Sequence, residues 1–175
     1  GKVEFGTTDR EDIESAETGK KVQKLSSIKV SDTAGNLIKT TMLEYKYLLS
    51  GMAATTNGYD DRLLLSKVYD VAGSKKNNVY TMDYNMGKLP PKRSLSVDAW
   101  GFYNGASPMT ASLKISPSIY WSESIKPSSK TSLFKEGMDR SFNEALCKIG
   151  TLRTITYPTG GTTTFEYEGH RFETL

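Results

Sequence analysis

The chain has 175 residues, with 23 basic and 20 acidic side chains and a net charge of +3. That length suits one domain, and 37% hydrophobic with 25% charged residues is typical of a folded protein rather than a disordered one. The small net charge with scattered basic residues excludes nucleic acid as a partner, and no apolar run approaches the roughly 20 residues of a membrane helix. One Cys and one His exclude a disulfide framework and a Cys/His zinc site.

The N-terminal part of the chain predicts a short strand over Val3–Thr7, followed by a charged loop over residues 8–20. Three later segments then share one pattern: Leu-x-x-(Ile/Val), a Gly-containing turn, and an ending of apolar residue, acid and Tyr. They span residues 25–45, 65–84 and 152–167. β-branched and aromatic residues recur at period two in each, so each segment predicts a β-hairpin.

Glycines mark the three predicted turns, at Gly35, Gly73 and the pair Gly160–Gly161. Glycine adopts the positive φ that a tight connection between strands requires, at little steric cost. Between the second and third hairpins the sequence changes to an aromatic, Gly-rich stretch over residues 97–105. Residues 112–115 predict a short strand, and the Pro-, Ser- and Lys-containing stretch over 117–132 predicts a long surface loop.

One short α-helix is predicted near residues 141–149. Ser141 and Glu144 have the spacing of a capping box, and Gly150 stands where a left-handed helix stop is expected. A single apolar stripe lies between these signals, formed by Met138, Phe142, Ala145, Leu146 and Ile149. The sequence therefore predicts a mainly β protein: an antiparallel sheet of serial hairpins with one helix packed on it, in a single β-rich domain over residues 1–175.

The third hairpin resembles the Rhs/YD-repeat pattern of Bacteroides-type cell-surface proteins. The resemblance is carried by Tyr157–Gly161 followed by Phe165-Glu166-Tyr167, and by the segment Asp98–Gly105, in the same order along the chain. The repeats here are less regular than tandem YD arrays, and Tyr157-Pro158 stands where many of those repeats carry Asp. The resemblance implies an extracellular or outer-membrane surface location and a fragment of a longer protein. It implies flanking domains or another surface protein as partners, and no catalytic residues.

Aromatic side chains outside the predicted strands form the candidate binding site. Trp and Tyr offer large rigid surfaces with a polar tip, so they stack on sugars or anchor protein partners. The candidate ligand-binding residues are Trp100, Phe102, Tyr103, Asn104 and Trp121. Two alternatives remain open: the aromatic residues bind a glycan, or they cover an open edge of the sheet core.

Catalysis has little support in the sequence. His170 lies near the C-terminus, away from any nucleophile and acid that would complete a triad. Glu166 and Glu168 share one face of a strand, whereas glycosidase carboxylates face each other across a cleft. Asp60-Asp61 and the acidic residues of 9–12 are possible Ca²⁺ ligands, but neither forms an Asp-x-Asp-x-Asp-Gly loop. We therefore expect a non-enzymatic structural or interaction module without a cofactor, and a carbohydrate-binding module is the alternative.

Overall fold

The structure is a computed structural model that describes residues 1–13, 20–49, 60–106, 119–120, 134–135 and 139–169. The chain divides into two compact units. The first, here called the sheet unit, comprises residues 1–92 and 149–167, and the second takes the described residues of 93–148 and those after 167. The single domain over 1–175 stays a prediction.

The sheet unit is one antiparallel sheet whose strands lie in sequence order, with residues 85–151 inserted between β5 and β8. Its order is β1-β2-β3-β4-β5-β8-β9, and a separate two-stranded ribbon pairs β6 with β7. The strands are β1 (Lys2–Asp9), β2 (Gln23–Ser31), β3 (Leu37–Leu48), β4 (Arg62–Ala72), β5 (Lys75–Tyr84), β6 (Ile119–Tyr120), β7 (Phe134–Lys135), β8 (Leu152–Thr156) and β9 (Thr162–Thr164). The mainly β fold, the serial hairpins and the predicted N-terminal strand are confirmed.

The predicted turns are confirmed as well. Gly35, Gly73 and Gly160 have φ values of +89°, +61° and +87°, a region that favours glycine over residues with a Cβ. In the first turn the Asp32 carboxylate also accepts a hydrogen bond from the main-chain N–H of Asn36 at 2.8 Å. Positive φ at a single glycine thus sets where each ribbon folds back.

The core of the sheet unit is small. Among the described residues the buried apolar side chains are Leu48, Leu64, Tyr69 and Met82, all on the central strands β3, β4 and β5. A Cβ built on Gly150 would lie 3.4 Å from Leu48 and 3.5 Å from Leu89, so this glycine closes the core at ordinary contact distance. Most of the other sheet side chains are half-buried or exposed.

The predicted helix near 141–149 is wrong: the structure has turns over residues 144–150 and no helix among the described residues. The predicted cap, Ser141, is not the residue that starts the turn. Instead, the Asn143 side chain accepts the N–H groups of Ala145 and Leu146 at 3.1 and 3.2 Å. Between Asn143 and Gly150, which has φ +84°, there is room for less than two helical turns, and so short a helix is unfavourable.

Two further predictions concern a strand at 112–115 and membrane-spanning helices. The strand predicted at 112–115 lies outside the described residues. Within the part that is described, no helix has the length and apolar character needed to cross a bilayer.

Leu48 and Leu49 provide a matched test of this small core. Leu48 is 2% exposed and its neighbour Leu49 is 67% exposed. We expect Leu48→Ala to lower the free energy of unfolding by about 2–5 kcal/mol, since it removes buried methyl groups and leaves a cavity. Leu49→Ala should change it by less than about 0.5 kcal/mol. Urea unfolding followed by circular dichroism measures both, and equal losses would show that Leu48 is not a core residue.

Candidate functional site

The predicted aromatic segment forms a tight loop, here called the aromatic loop (residues 97–104). An antiparallel bridge between Val97 and Tyr103 closes its base. Inside the bridge, the N–H of Asp98 donates to the carbonyl of Phe102 at 2.8 Å, and Gly101 turns the chain with φ +93°. The loop is therefore a small hairpin, with its aromatic residues at the tip.

A buried carboxylate holds this tip in place. Asp98 Oδ1 accepts the main-chain N–H groups of Trp100 and Phe102, each at 2.9 Å. Asp98 itself is buried, and hydrogen bonds to an ionised acceptor contribute about 1.5–3 kcal/mol each. The main chain beneath both aromatic residues is thus fixed before any ligand arrives, which reduces the entropy lost on binding.

The two tip residues remain accessible. Trp100 is 39% exposed and Phe102 is 42% exposed, so each presents part of its ring to solvent. Tyr103 is half-buried, because it forms the closing bridge with Val97. Of the predicted ligand-binding residues, Trp100 and Phe102 are therefore the pair that the structure brings to one exposed tip.

Asn104 is buried, and its side chain makes hydrogen bonds within the protein. Its amide nitrogen donates to the carbonyls of Asp139 and Ser141 at 2.9 and 3.1 Å, and its amide oxygen accepts the N–H of Ala106 at 3.1 Å. Asn104 thus ties the loop to residues 139–141 rather than facing a ligand. Trp121 lies outside the described residues.

Arg140 fastens the same loop from a second direction. Its guanidinium donates to the carbonyl of Val97 at 2.8 Å, and its carbonyl accepts the N–H of Ala99 at 3.2 Å. Together with Asn104, Arg140 connects the loop to the segment that follows residue 138. Nothing in the local sequence indicated this role, since the two segments lie about 40 residues apart.

A second polar site, in the sheet unit, was also missed by the sequence. Asp12 is fully buried just beyond β1. Its two carboxylate oxygens accept the guanidinium of Arg10 at 3.0 and 2.7 Å, and Oδ2 also accepts Lys92 Nζ at 3.1 Å. Lys92 is 80 residues away along the chain and contacts the Asp12 carbonyl as well.

The pKa of Asp12 results from two opposing effects, burial and hydrogen bonding. Burial opposes ionisation and raises the pKa, but the hydrogen bonds from Arg10 and Lys92 outweigh it and hold the pKa at about 2, below the ordinary 3.8. Asp12 is therefore ionised throughout the physiological range. The group is an ion triad around a buried carboxylate, and it fixes the end of β1 to the segment around Lys92.

The acidic residues proposed as Ca²⁺ ligands take part in such internal contacts. Both oxygens of Asp12 accept cationic side chains, and Asp60 Oδ1 accepts the N–H of Lys92 at 3.0 Å. The residues that the structure describes contain no group of three or more His, Cys, Asp or Glu side chains placed to hold a metal ion.

Comparison with family models, with curated proteins and with solved structures found no match to this chain. The similarity to Rhs/YD-repeat proteins therefore rests on the sequence motifs alone.

The Asp12 triad predicts a defined loss of stability in acid. Because the folded pKa, about 2, is below the unfolded value near 3.8, ionised Asp12 stabilises the fold above pH 4, and this contribution is lost as the pH falls to 2. Its size is about 2 kcal/mol. Between pH 5 and pH 2, the free energy of unfolding should fall by about 2 kcal/mol more in the wild type than in Asp12→Asn.

The control for this measurement is Asp83→Asn, which removes an exposed carboxylate 3.6 Å from Lys46. Exposed ion pairs contribute little, so this variant should follow the wild-type pH dependence. An Asp12→Asn variant that follows the same curve as the wild type would show that the triad does not stabilise the fold.

Proposed function

We propose that the chain is a non-catalytic structural or interaction module of a bacterial secreted or cell-surface Rhs-like protein. The observation that carries the proposal is a seven-stranded sheet, built strand by strand in sequence order, with few buried apolar side chains. A sheet of this kind depends on lateral pairing more than on a core of its own. Such a ribbon suits a part of an extended assembly, in which neighbouring units continue the pairing.

The third hairpin supports the Rhs-like part of the proposal. The motif over residues 152–167 contains β8 and β9, with the turn at Gly160, as a YD-like unit requires. Tyr157, Phe165 and Tyr167 remain exposed beside the last strand of the sheet. Their rings offer apolar area to a flanking domain or to another surface protein, which are the partners that the resemblance implies.

A surface location is tested by labelling intact cells of the source organism with antibodies raised against this 175-residue chain. We expect labelling without permeabilisation, and loss of the labelled epitope when intact cells are treated with a protease. An antibody to a cytoplasmic protein is the control for cell integrity. Labelling only after permeabilisation, with the antigen in the cytoplasmic fraction, would overturn the proposal.

Carbohydrate binding is the second candidate function, and the aromatic loop favours it. Trp100 and Phe102 are each about 40% exposed, and the Asp98 carboxylate fixes the main chain beneath both. A pair of accessible rings on a rigid tip provides a stacking surface for the apolar face of a sugar ring.

A glycan array followed by titration calorimetry tests this second function. We expect Trp100→Ala to weaken binding of the best glycan by about tenfold or more, since loss of one stacking contact costs about 1.4 kcal/mol or more. Tyr157→Ala, which removes a similarly exposed ring from the sheet unit, is the matched control and should bind as the wild type does. Equal binding by both variants, or no glycan bound by the wild type, would exclude the aromatic loop as a sugar site.

A further inference from the structure

Strand β1 forms one edge of the sheet, and its apolar side chains face solvent. Phe5 is 67% exposed and Val3 is 53% exposed. The two side chains lie on one face, opposite Ile28 and Val30 of β2. Among the described strands, β1 has β2 as its single neighbour, so its outer edge offers main-chain groups that no strand of the described sheet takes up.

The alternation of hydrogen bonds along β1 shows which of its main-chain groups point away from the sheet. The N–H of Arg10 donates to Val22 on the β2 side at 2.8 Å. In an antiparallel pair, successive residues alternate between facing the partner strand and facing away. The pairing of β1 with β2 shifts register between Gly6 and Thr7, but the unpaired residue is Ser26 on β2, so the alternation along β1 continues through the shift. The even-numbered residues of β1 therefore face β2, and Val3, Phe5 and Thr7 direct their N–H and C=O groups away from the sheet.

We propose that β1 pairs with β1 of a second copy of this chain, antiparallel and with Phe5 on the two-fold axis. In this register Val3 lies opposite Thr7 of the second copy, and the three outward-facing residues of each strand make six main-chain hydrogen bonds in all. The two sheets then continue into one another through the outer edge of β1. This pairing does not depend on the function proposed above.

The charged side chains favour this register over the two neighbouring ones, which place the axis at Glu4 or at Gly6. With the axis at Phe5, Glu4 lies opposite Gly6 and Lys2 lies opposite Thr8, so no like charges face each other. An axis at Glu4 would set two carboxylates directly opposite each other, and an axis at Gly6 would set Lys2 against Arg10. Like charges directly opposite on a sheet are destabilising.

The apolar side chains favour the same arrangement. Across the two-fold axis Phe5 of one copy meets Phe5 of the other, and the row formed with Val3, Ile28 and Val30 continues from sheet to sheet. Aromatic cross-strand pairs stabilise a sheet. A single strand pair is a small interface, so the dimer belongs to the weak, reversible class.

Analytical ultracentrifugation of the full chain from about 10 µM to 1 mM tests the pairing, since weak small interfaces dissociate in this range. We expect a monomer–dimer equilibrium, and Phe5→Lys should raise its dissociation constant at least about tenfold. Ile38→Lys is the matched control, because Ile38 on β3 is also 67% exposed, and it should leave the dimer intact. A wild type that stays monomeric, or a dimer that Phe5→Lys leaves unchanged, would overturn the proposal.

A cross-link reports the register even if Phe5→Lys perturbs folding. A hydrogen-bonded pair on the axis brings the two Cα atoms to about 5.5 Å and leaves the Cβ atoms wider apart than a disulfide needs, so a short bismaleimide is the suitable thiol cross-linker. In a Cys147→Ser background, Phe5→Cys should form a covalent dimer with this cross-linker, whereas Ile38→Cys should not. Absence of the Phe5→Cys dimer at concentrations where the wild type self-associates would exclude this register.

Discussion

Lateral main-chain pairing between consecutive strands is the interaction on which the sheet unit depends. Burial contributes less than usual, because the described residues of the sheet unit contain only four buried apolar side chains. Contacts between side chains of neighbouring strands supplement the main-chain hydrogen bonds of the sheet. Glu44 accepts the hydroxyl of Tyr69 at 2.9 Å and the ammonium of Lys76 at 2.7 Å, and Lys76 lies 4.2 Å from the centre of the Tyr69 ring. Each such contact contributes little to the free energy of unfolding, so many small contributions together stabilise the sheet.

The parts of the fold that follow from local chemistry are those that the sequence predicts well. Period-two alternation and glycines at Gly35, Gly73 and Gly160 are enough to place three hairpins, since each forms from residues close in sequence. For the aromatic loop the sequence indicates an aromatic, Gly-rich stretch over residues 97–105 but not the turn at Gly101 or the bridge between Val97 and Tyr103.

What the sequence does not predict depends on distant partners. Ser141 matches a helix cap, yet its carbonyl accepts Asn104 and its N–H donates to Asp139, so both groups are committed to a different local structure. Asp12 looks like one charge in a polar loop, and only the fold brings Lys92 to it. A local pattern carries no information about a contact 80 residues away.

Buried carboxylates do in this protein part of what apolar packing does elsewhere, and they do it in two ways. Asp12 accepts hydrogen bonds from two cationic side chains, whereas Asp98 accepts two main-chain N–H groups. Removing either carboxylate leaves its polar partners without these hydrogen bonds, so both positions tolerate less change than exposed side chains do. The two buried acids thus preserve the end of β1 and the tip of the aromatic loop.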